Sequence, residues 1–205
     1  MIKEKIKIYA IDLGYGNKRS IQSLFENIQT DLEWKSEPPK TSTGKEIFIL
    51  CGVGSAGTAM DQMKQSGWLE FIQNTQRPVI GFCLGFQMMF EFLEEEGIHQ
   101  GIGAFQGQVK KLDSSYIQQT RIPHTGWSKV SWNAKSSFTL SDLDFYYAHS
   151  YAVENSQDAI AHSYGFVSAA LKNNFLGFQF HPELSDQNGL QLMKESLSWA
   201  LSYQQ

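Results

Sequence analysis

Ile6 to Ile11 alternates apolar and polar positions and then runs apolar, the pattern of a central parallel strand. A turn-rich stretch, Asp12-Leu13-Gly14-Tyr15-Gly16-Asn17, follows it, and Ile21, Leu24, Phe25 and Ile28 then recur at helical spacing. Asp31 to Glu46 is polar and holds Pro38-Pro39, so it predicts a loop with at most a weak edge strand. Ile47-Phe48-Ile49-Leu50 reads as a buried strand. It breaks into Cys51-Gly52-Val53-Gly54-Ser55-Ala56-Gly57, with a helix starting near Thr58 and a further helical piece over 68–73. Val79 to Phe82, opened by Pro78, predicts another strand. Met88, Met89, Phe90, Phe92 and Leu93, mixed with Glu91, Glu94, Glu95 and Glu96, predict a helix after Cys83.

The texture changes beyond Gly107. Short β-like runs at 108–112, 128–132 and 145–148 are divided by polar turns, which predicts an antiparallel section added to the sheet. Strands follow at 166–170 and 176–180, then a helix over about 189–203. The expected fold class is α/β: an open, mostly parallel sheet flanked by helices, with an added antiparallel β section in the second half.

At 205 residues the chain is expected to form a single domain over 1–205, with a substantial core. Charged residues at 19% and hydrophobic ones at 41% suit a soluble globular protein. A net charge of −4 gives no reason to expect nucleic acid or a membrane surface as partner. No apolar run reaches the ~18 residues that a transmembrane helix needs. The acidic residue in Met1-Ile2-Lys3-Glu4-Lys5 argues against a signal peptide. Two cysteines make no disulfide framework, which suggests a reducing, cytoplasmic setting.

The candidate chemistry centres on Gly81-Phe82-Cys83-Leu84-Gly85. A strand turning sharply into a helix, with glycine two residues before and two after a nucleophilic side chain, is the nucleophile-elbow pattern. A Cβ at either glycine is expected to collide in the tight strand–helix turn. The elbow would set Cys83 at a helix N-terminus, where the dipole favours a thiolate. Against this stands the commoner fate of a lone cysteine, an inert buried residue, and Cys51 reads that way. The Gly-rich turn after Leu50 is either an anion-binding arrangement of backbone N–H groups or simply a tight turn. The loop Asp12–Asn17 lacks the third glycine of a dinucleotide fingerprint and reads as structural.

A cysteine nucleophile needs a base, and the base an orienting group. Of five histidines, His99 lies in a polar loop and reads as solvated, while His162 has no special context. His124 and His149 could each line a site. His181 closes an apolar strand at its carboxyl end, the edge where open α/β sheets place ligands. Glu183 lies two residues on, so in an extended segment the two side chains point the same way. Cys83, His181 and Glu183 make a candidate triad.

Together, Gly81-Phe82-Cys83-Leu84-Gly85-Phe86-Gln87 and His181-Pro182-Glu183 resemble the class I, triad-type glutamine amidotransferases. Ile11-Asp12, Gly14, Gly16-Asn17, Gly52-Val53-Gly54, Glu94-Glu95, Pro123-His124-Thr125-Gly126-Trp127, His149-Ser150-Tyr151 and Gly177–Phe180 follow in family order. They narrow the resemblance to the glutaminase subunits of imidazole glycerol phosphate synthase and close paralogues. The resemblance implies a flavodoxin-like sheet, hydrolysis of L-glutamine through a Cys83 thioester, and ammonia passed to a partner cyclase or other synthase in a heterodimer. It implies an oxyanion site of backbone N–H groups at Leu84 and at Gly52 and Val53. Gln87, Glu95, Ser150 and Tyr151 would hold the substrate, with no cofactor and no metal. Relatives mostly carry Pro at Cys51, an aromatic at Ala56, Met at Thr125, Asn at Ser128 and Lys at Leu184. That Lys faces the cyclase, so Leu184 suggests a reshaped partner surface. Paralogues serve other synthases, including ones that act on nucleotide-linked sugars for surface polysaccharides.

Overall fold

The computed structural model describes residues 6–14, 16–41, 44–52, 54–113, 122–133, 136, 138, 140 and 143–203. The first half runs β1 (Lys7–Ile11), α1 (Lys18–Asn27), β2 (Glu33–Lys35), β3 (Glu46–Gly52), α2 (Ala56–Gln65), α3 (Trp68–Asn74), β4 (Val79–Cys83) and α4 (Leu84–Gln87). Short strands follow as β5 (Phe90–Leu93), β6 (His99–Gln100), β7 (Phe105–Lys111), β8 (His124–Lys129), β9 (Ser131–Trp132), β10 (Asp144–His149) and β11 (Tyr151–Ala152). The chain closes with β12 (Ala159–Ser163), β13 (Phe166–Lys172), β14 (Phe175–Phe178), a 3-10 turn (Pro182–Leu184) and α5 (Asp186–Tyr203).

The main sheet has the order β2-β1-β3-β4-β14-β13-β12-β9. Its first five strands are parallel, and β13, β12 and β9 extend it antiparallel. Two satellite sheets carry the rest: an antiparallel ribbon of β8 and β10, and a group ordered β11-β7-β5-β6. The mixed α/β architecture with an antiparallel second half is the one expected.

Strand alternation sorts the core into two layers, because successive side chains leave opposite faces. Ile8, Ala10, Ile47, Ile49, Ile80 and Phe82 pack with Phe25 of α1 and Leu192 and Met193 of α5. Tyr9, Ile11, Phe48, Leu50 and Val79 pack with Met60 of α2, Trp68 and Ile72 of α3, and Phe86 of α4. Both faces of β3 are buried along all seven residues, the mark of a central parallel strand.

The helix expected after Cys83 is much shorter. It spans only Leu84–Gln87, and Phe90–Leu93 is a strand paired with β6 and β7. The reason is burial on every side: Leu84 through Phe90 are all buried, whereas a surface helix buries one stripe. Gly101 lets a neighbouring strand close in, since a Cβ there would sit 2.1 Å from the Phe90 carbonyl oxygen. The strand expected to reach Phe180 ends at Phe178; the Gln179 N–H still donates to the Ser168 carbonyl of β13 at 2.9 Å, and the His181 N–H donates to the Tyr146 carbonyl at 2.8 Å.

Candidate active site

Cys83 ends β4 and caps α4 with φ 49° and ψ −109°, a conformation that costs a non-glycine residue on the order of 1–3 kcal/mol. The flanking glycines make it possible. A Cβ on Gly85 would lie 1.9 Å from the Leu50 carbonyl oxygen, and one on Gly81 would lie 3.0 Å from the Gly85 backbone. The expected collision is present at both positions. The Cys83 Sγ, 3.9 Å from the Ala148 carbonyl oxygen, opens onto a cavity of about 380 Å³ at the carboxyl edge of the sheet.

His181 stands across this cavity beyond the end of β14, the strand next to β4. Its Nδ1 donates to Glu183 Oε1 at 2.8 Å, which leaves Nε2 as the nitrogen available to Cys83. Glu183 reaches the imidazole from the 3-10 turn that Pro182 opens, not from an extended segment as the spacing suggested. The 3-10 turn still brings the two side chains onto one side. Burial disfavours the His181 imidazolium, but the facing Cys83 thiolate and the Glu183 carboxylate outweigh it and hold its pKa well above the ordinary value. Ser185 locks the segment, its Oγ donating to the His181 carbonyl at 2.6 Å and accepting from the Tyr146 N–H at 3.0 Å.

Gly52 and Leu84 line the cavity beside Cys83; Val53 lies outside the described residues. The Leu84 N–H opens α4, ahead of any intrahelical acceptor. Gln87, Glu95, Ser150 and Tyr151 line the same cavity. Gln87 Nε2 donates to the Tyr151 carbonyl at 2.7 Å and to Gln179 Oε1 at 3.1 Å. Glu95 Oε2 accepts from the Ala56 N–H at 2.6 Å, which ties it to the start of α2. Apart from the undescribed Val53, and Glu183, which stands behind His181, the residues expected in the triad, the oxyanion site and the substrate cradle line one cavity; His149 lines it too, and His124 does not.

Cys51, His99 and Asn17 stand differently towards this site. Cys51 is buried, and desolvation pushes its thiol up to about 12, as an inert residue requires. His99 is half-buried rather than freely solvated: its Nε2 bonds the Glu95 carbonyl at 3.0 Å, and its ring packs over Gly57. Asn17, at the end of the loop read as structural, lines the cavity. Ala148, which the sequence did not single out, contributes a backbone carbonyl, a group without any sequence signal. Among the described residues, no His, Cys, Asp or Glu cluster is arranged to hold a metal.

A nucleophile elbow at the carboxyl edge of a parallel sheet, facing a His–Glu pair, defines an α/β enzyme equipped for acyl transfer through a covalent intermediate. Residues 9–197 match the family model described as glutamine amidotransferase class-I, and the chain belongs to that family. It is 34% identical to the imidazole glycerol phosphate synthase subunit HisH of Sulfurimonas denitrificans, over 91% of this chain and 95% of the relative. The HisH subunits of Haemophilus influenzae and Aquifex aeolicus are 34% and 33% identical, each over 92% of this chain, and 96% and 95% of their own lengths. Among solved structures, a glutamine amidotransferase superposes with TM-score 0.73 at 13% identity, over 94% of this chain and 98% of its own. PurLQS from Thermotoga maritima does so with TM-score 0.65 at 13% identity, over 95% and 99%. At those identities the structural likeness shows the fold.

Proposed function

We propose that this chain is the glutaminase subunit of an imidazole glycerol phosphate synthase, one domain over residues 1–205 that works beside a cyclase subunit in the cytoplasm. What carries the reading is Cys83 strained on its elbow against the His181–Glu183 pair, at the end of the cavity that holds Gln87 and Glu95. Cys83 attacks the side-chain amide carbon of glutamine as a thiolate. The oxyanion of the tetrahedral intermediate accepts from the Leu84 N–H and from the Gly52-Val53 loop; one such donor is worth on the order of 2.7–4 kcal/mol. His181, held as imidazolium, gives its proton to the departing ammonia. The thioester is then attacked by water whose proton returns to His181, and glutamate leaves as the thiolate is regenerated.

Ammonia must reach its acceptor unprotonated, which favours a synthase docked over the cavity mouth. Leu184 lines the cavity from the 3-10 turn, where relatives carry Lys. That departure favours a second reading, in which the ammonia serves a different synthase, such as one acting on nucleotide-linked sugars. No helix among the described residues is long and apolar enough to cross a membrane.

The deciding experiment measures glutamate released from glutamine by the chain alone and mixed with the cyclase of the same organism plus its nucleotide ligand, with Cys83→Ala as control. Strong stimulation that Cys83→Ala abolishes supports the first reading. Turnover indifferent to the cyclase moves the chain to another synthase, and turnover by Cys83→Ala removes the thioester mechanism.

A further inference from the structure

At the wall of the cavity, which His149 lines, two buried histidines from the β8–β10 ribbon meet ring to ring. His124 Nδ1 lies 2.9 Å from His149 Nε2, and the two residues are paired directly across the ribbon. His124 Nε2 lies 2.9 Å from Ser128 Oγ, and His149 Nδ1 lies 2.9 Å from the Tyr151 carbonyl oxygen. The direction of these bonds follows from chemistry. A carbonyl only accepts, so His149 Nδ1 carries the proton. Burial holds both rings neutral, His124 at about 4 and His149 at about 3, so each has one donor and one acceptor. His149 Nε2 therefore accepts from His124 Nδ1–H, and His124 Nε2 accepts from the Ser128 hydroxyl.

The chain ends on an atom that matters. The Tyr151 carbonyl oxygen also accepts from Gln87 Nε2, whose other acceptor is Gln179 Oε1. Both N–H groups of the Gln87 amide are thereby committed, and Oε1 is the end left for a ligand donor. We propose that Ser128, His124 and His149 are positioning residues that form a one-way hydrogen-bond relay, fixing the Tyr151 carbonyl and, through it, the orientation in which Gln87 offers an acceptor to an N–H group of the substrate. The inference rests on glutamine being the substrate, and the relay acts through Gln87 rather than on the sulfur.

Two rates on Cys83 separate positioning from general support: inactivation by a diazo-ketone analogue of glutamine, which must occupy the cradle, and alkylation by iodoacetamide, which needs only the thiolate. His149→Leu removes the donor to Tyr151, whereas His149→Asn places an amide N–H near the position of Nδ1. His149→Leu is expected to raise the half-saturating analogue concentration about tenfold and His149→Asn by less than about threefold, with iodoacetamide rates held within about twofold. Ser128→Ala against Ser128→Asn gives the same contrast at the other end of the relay, and it stands if His149→Leu does not fold. Equal shifts in the donor-keeping and donor-lacking variants, or iodoacetamide rates that fall in step, overturn the relay while leaving glutamine as substrate. A wild-type chain that the analogue does not label at Cys83 overturns the glutamine reading, and the relay with it.

Discussion

His181 Nδ1 and Glu183 Oε1 are 2.8 Å apart, both side chains are almost wholly buried, and one 3-10 turn supplies the link between them. The contact does two things to one ring. It fixes the tautomer, turning Nε2 to the Cys83 thiol, and it places a negative charge where the imidazolium needs one. Glu183→Gln keeps the shape and removes the charge. Turnover of glutamine is expected to fall by roughly a hundredfold, with KM changed little, because the lost stabilisation belongs to the proton-transfer steps. Steady-state kinetics of glutamate release check it; a fall confined to KM would reassign Glu183 to substrate binding.

The two elbow glycines differ in what opposes a side chain. At Gly85 the obstacle is the Leu50 carbonyl of the adjoining strand, which cannot move without breaking the sheet. At Gly81 the nearest atom is the mobile end of Met89, 2.7 Å away, with the Gly85 backbone at 3.0 Å. Gly85→Ala is expected to cost at or beyond the upper end of the roughly 1–3 kcal/mol typical of overpacking, and Gly81→Ala distinctly less. Urea unfolding of the two variants side by side tests the order.

The elbow, the His–Glu pair and the parallel strands were legible because each is written within a few residues: glycines at fixed offsets, a proline after the histidine, apolar runs of strand length. What stayed hidden depends on pairs far apart in the chain. Gln87 meets Tyr151 across 64 positions and His124 meets His149 across 25. Neither bond leaves a trace in periodicity, so the two histidines could be read as candidates to line a site but not as partners of each other. The helix after Cys83 was overextended for a related reason. Its glutamates and apolar residues alternate at a spacing that helix and strand share over a short span. The choice is made by β6 and β7, which come later in the chain.

The buried histidines make stability depend on pH in a definite sense. His124 and His149 have folded values lowered by burial from 6.5 to about 4 and about 3, and burial lowers half-buried His162 too. As pH falls through about 6.5 the unfolded chain takes up these protons and the folded one does not, so stability drops towards pH 4. His181 runs the other way: its value is raised, so its contribution is complete below about 6.5 and is lost as pH rises through the raised value. In the window from about 6.5 to 5, above most carboxylate titrations, the lowered set alone acts. Urea midpoints are expected to fall with acidification there, and His149→Asn, with one ring fewer to protonate, to show a shallower slope. Parallel slopes would mean that His149 is already charged in the fold.

The two cysteines lie on neighbouring strands, yet their surroundings oppose each other. Cys51 faces the core layer of Phe82 and Phe178, and desolvation by that layer pushes its thiol up to about 12. Cys83 opens onto the cavity opposite a histidine whose raised value depends on the charge of the Cys83 sulfur. The thiolate is the reactive species, so an electrophile offered to the folded chain is expected to label Cys83 and leave Cys51 untouched. Peptide mapping by mass spectrometry after brief exposure near neutral pH reads this directly. Labelling of Cys83 should be unchanged in Cys51→Ala, and in urea, where Cys51 loses the burial that raises its value, the two thiols should label together. Label found chiefly on Cys51 in the folded chain would move the nucleophile off the elbow.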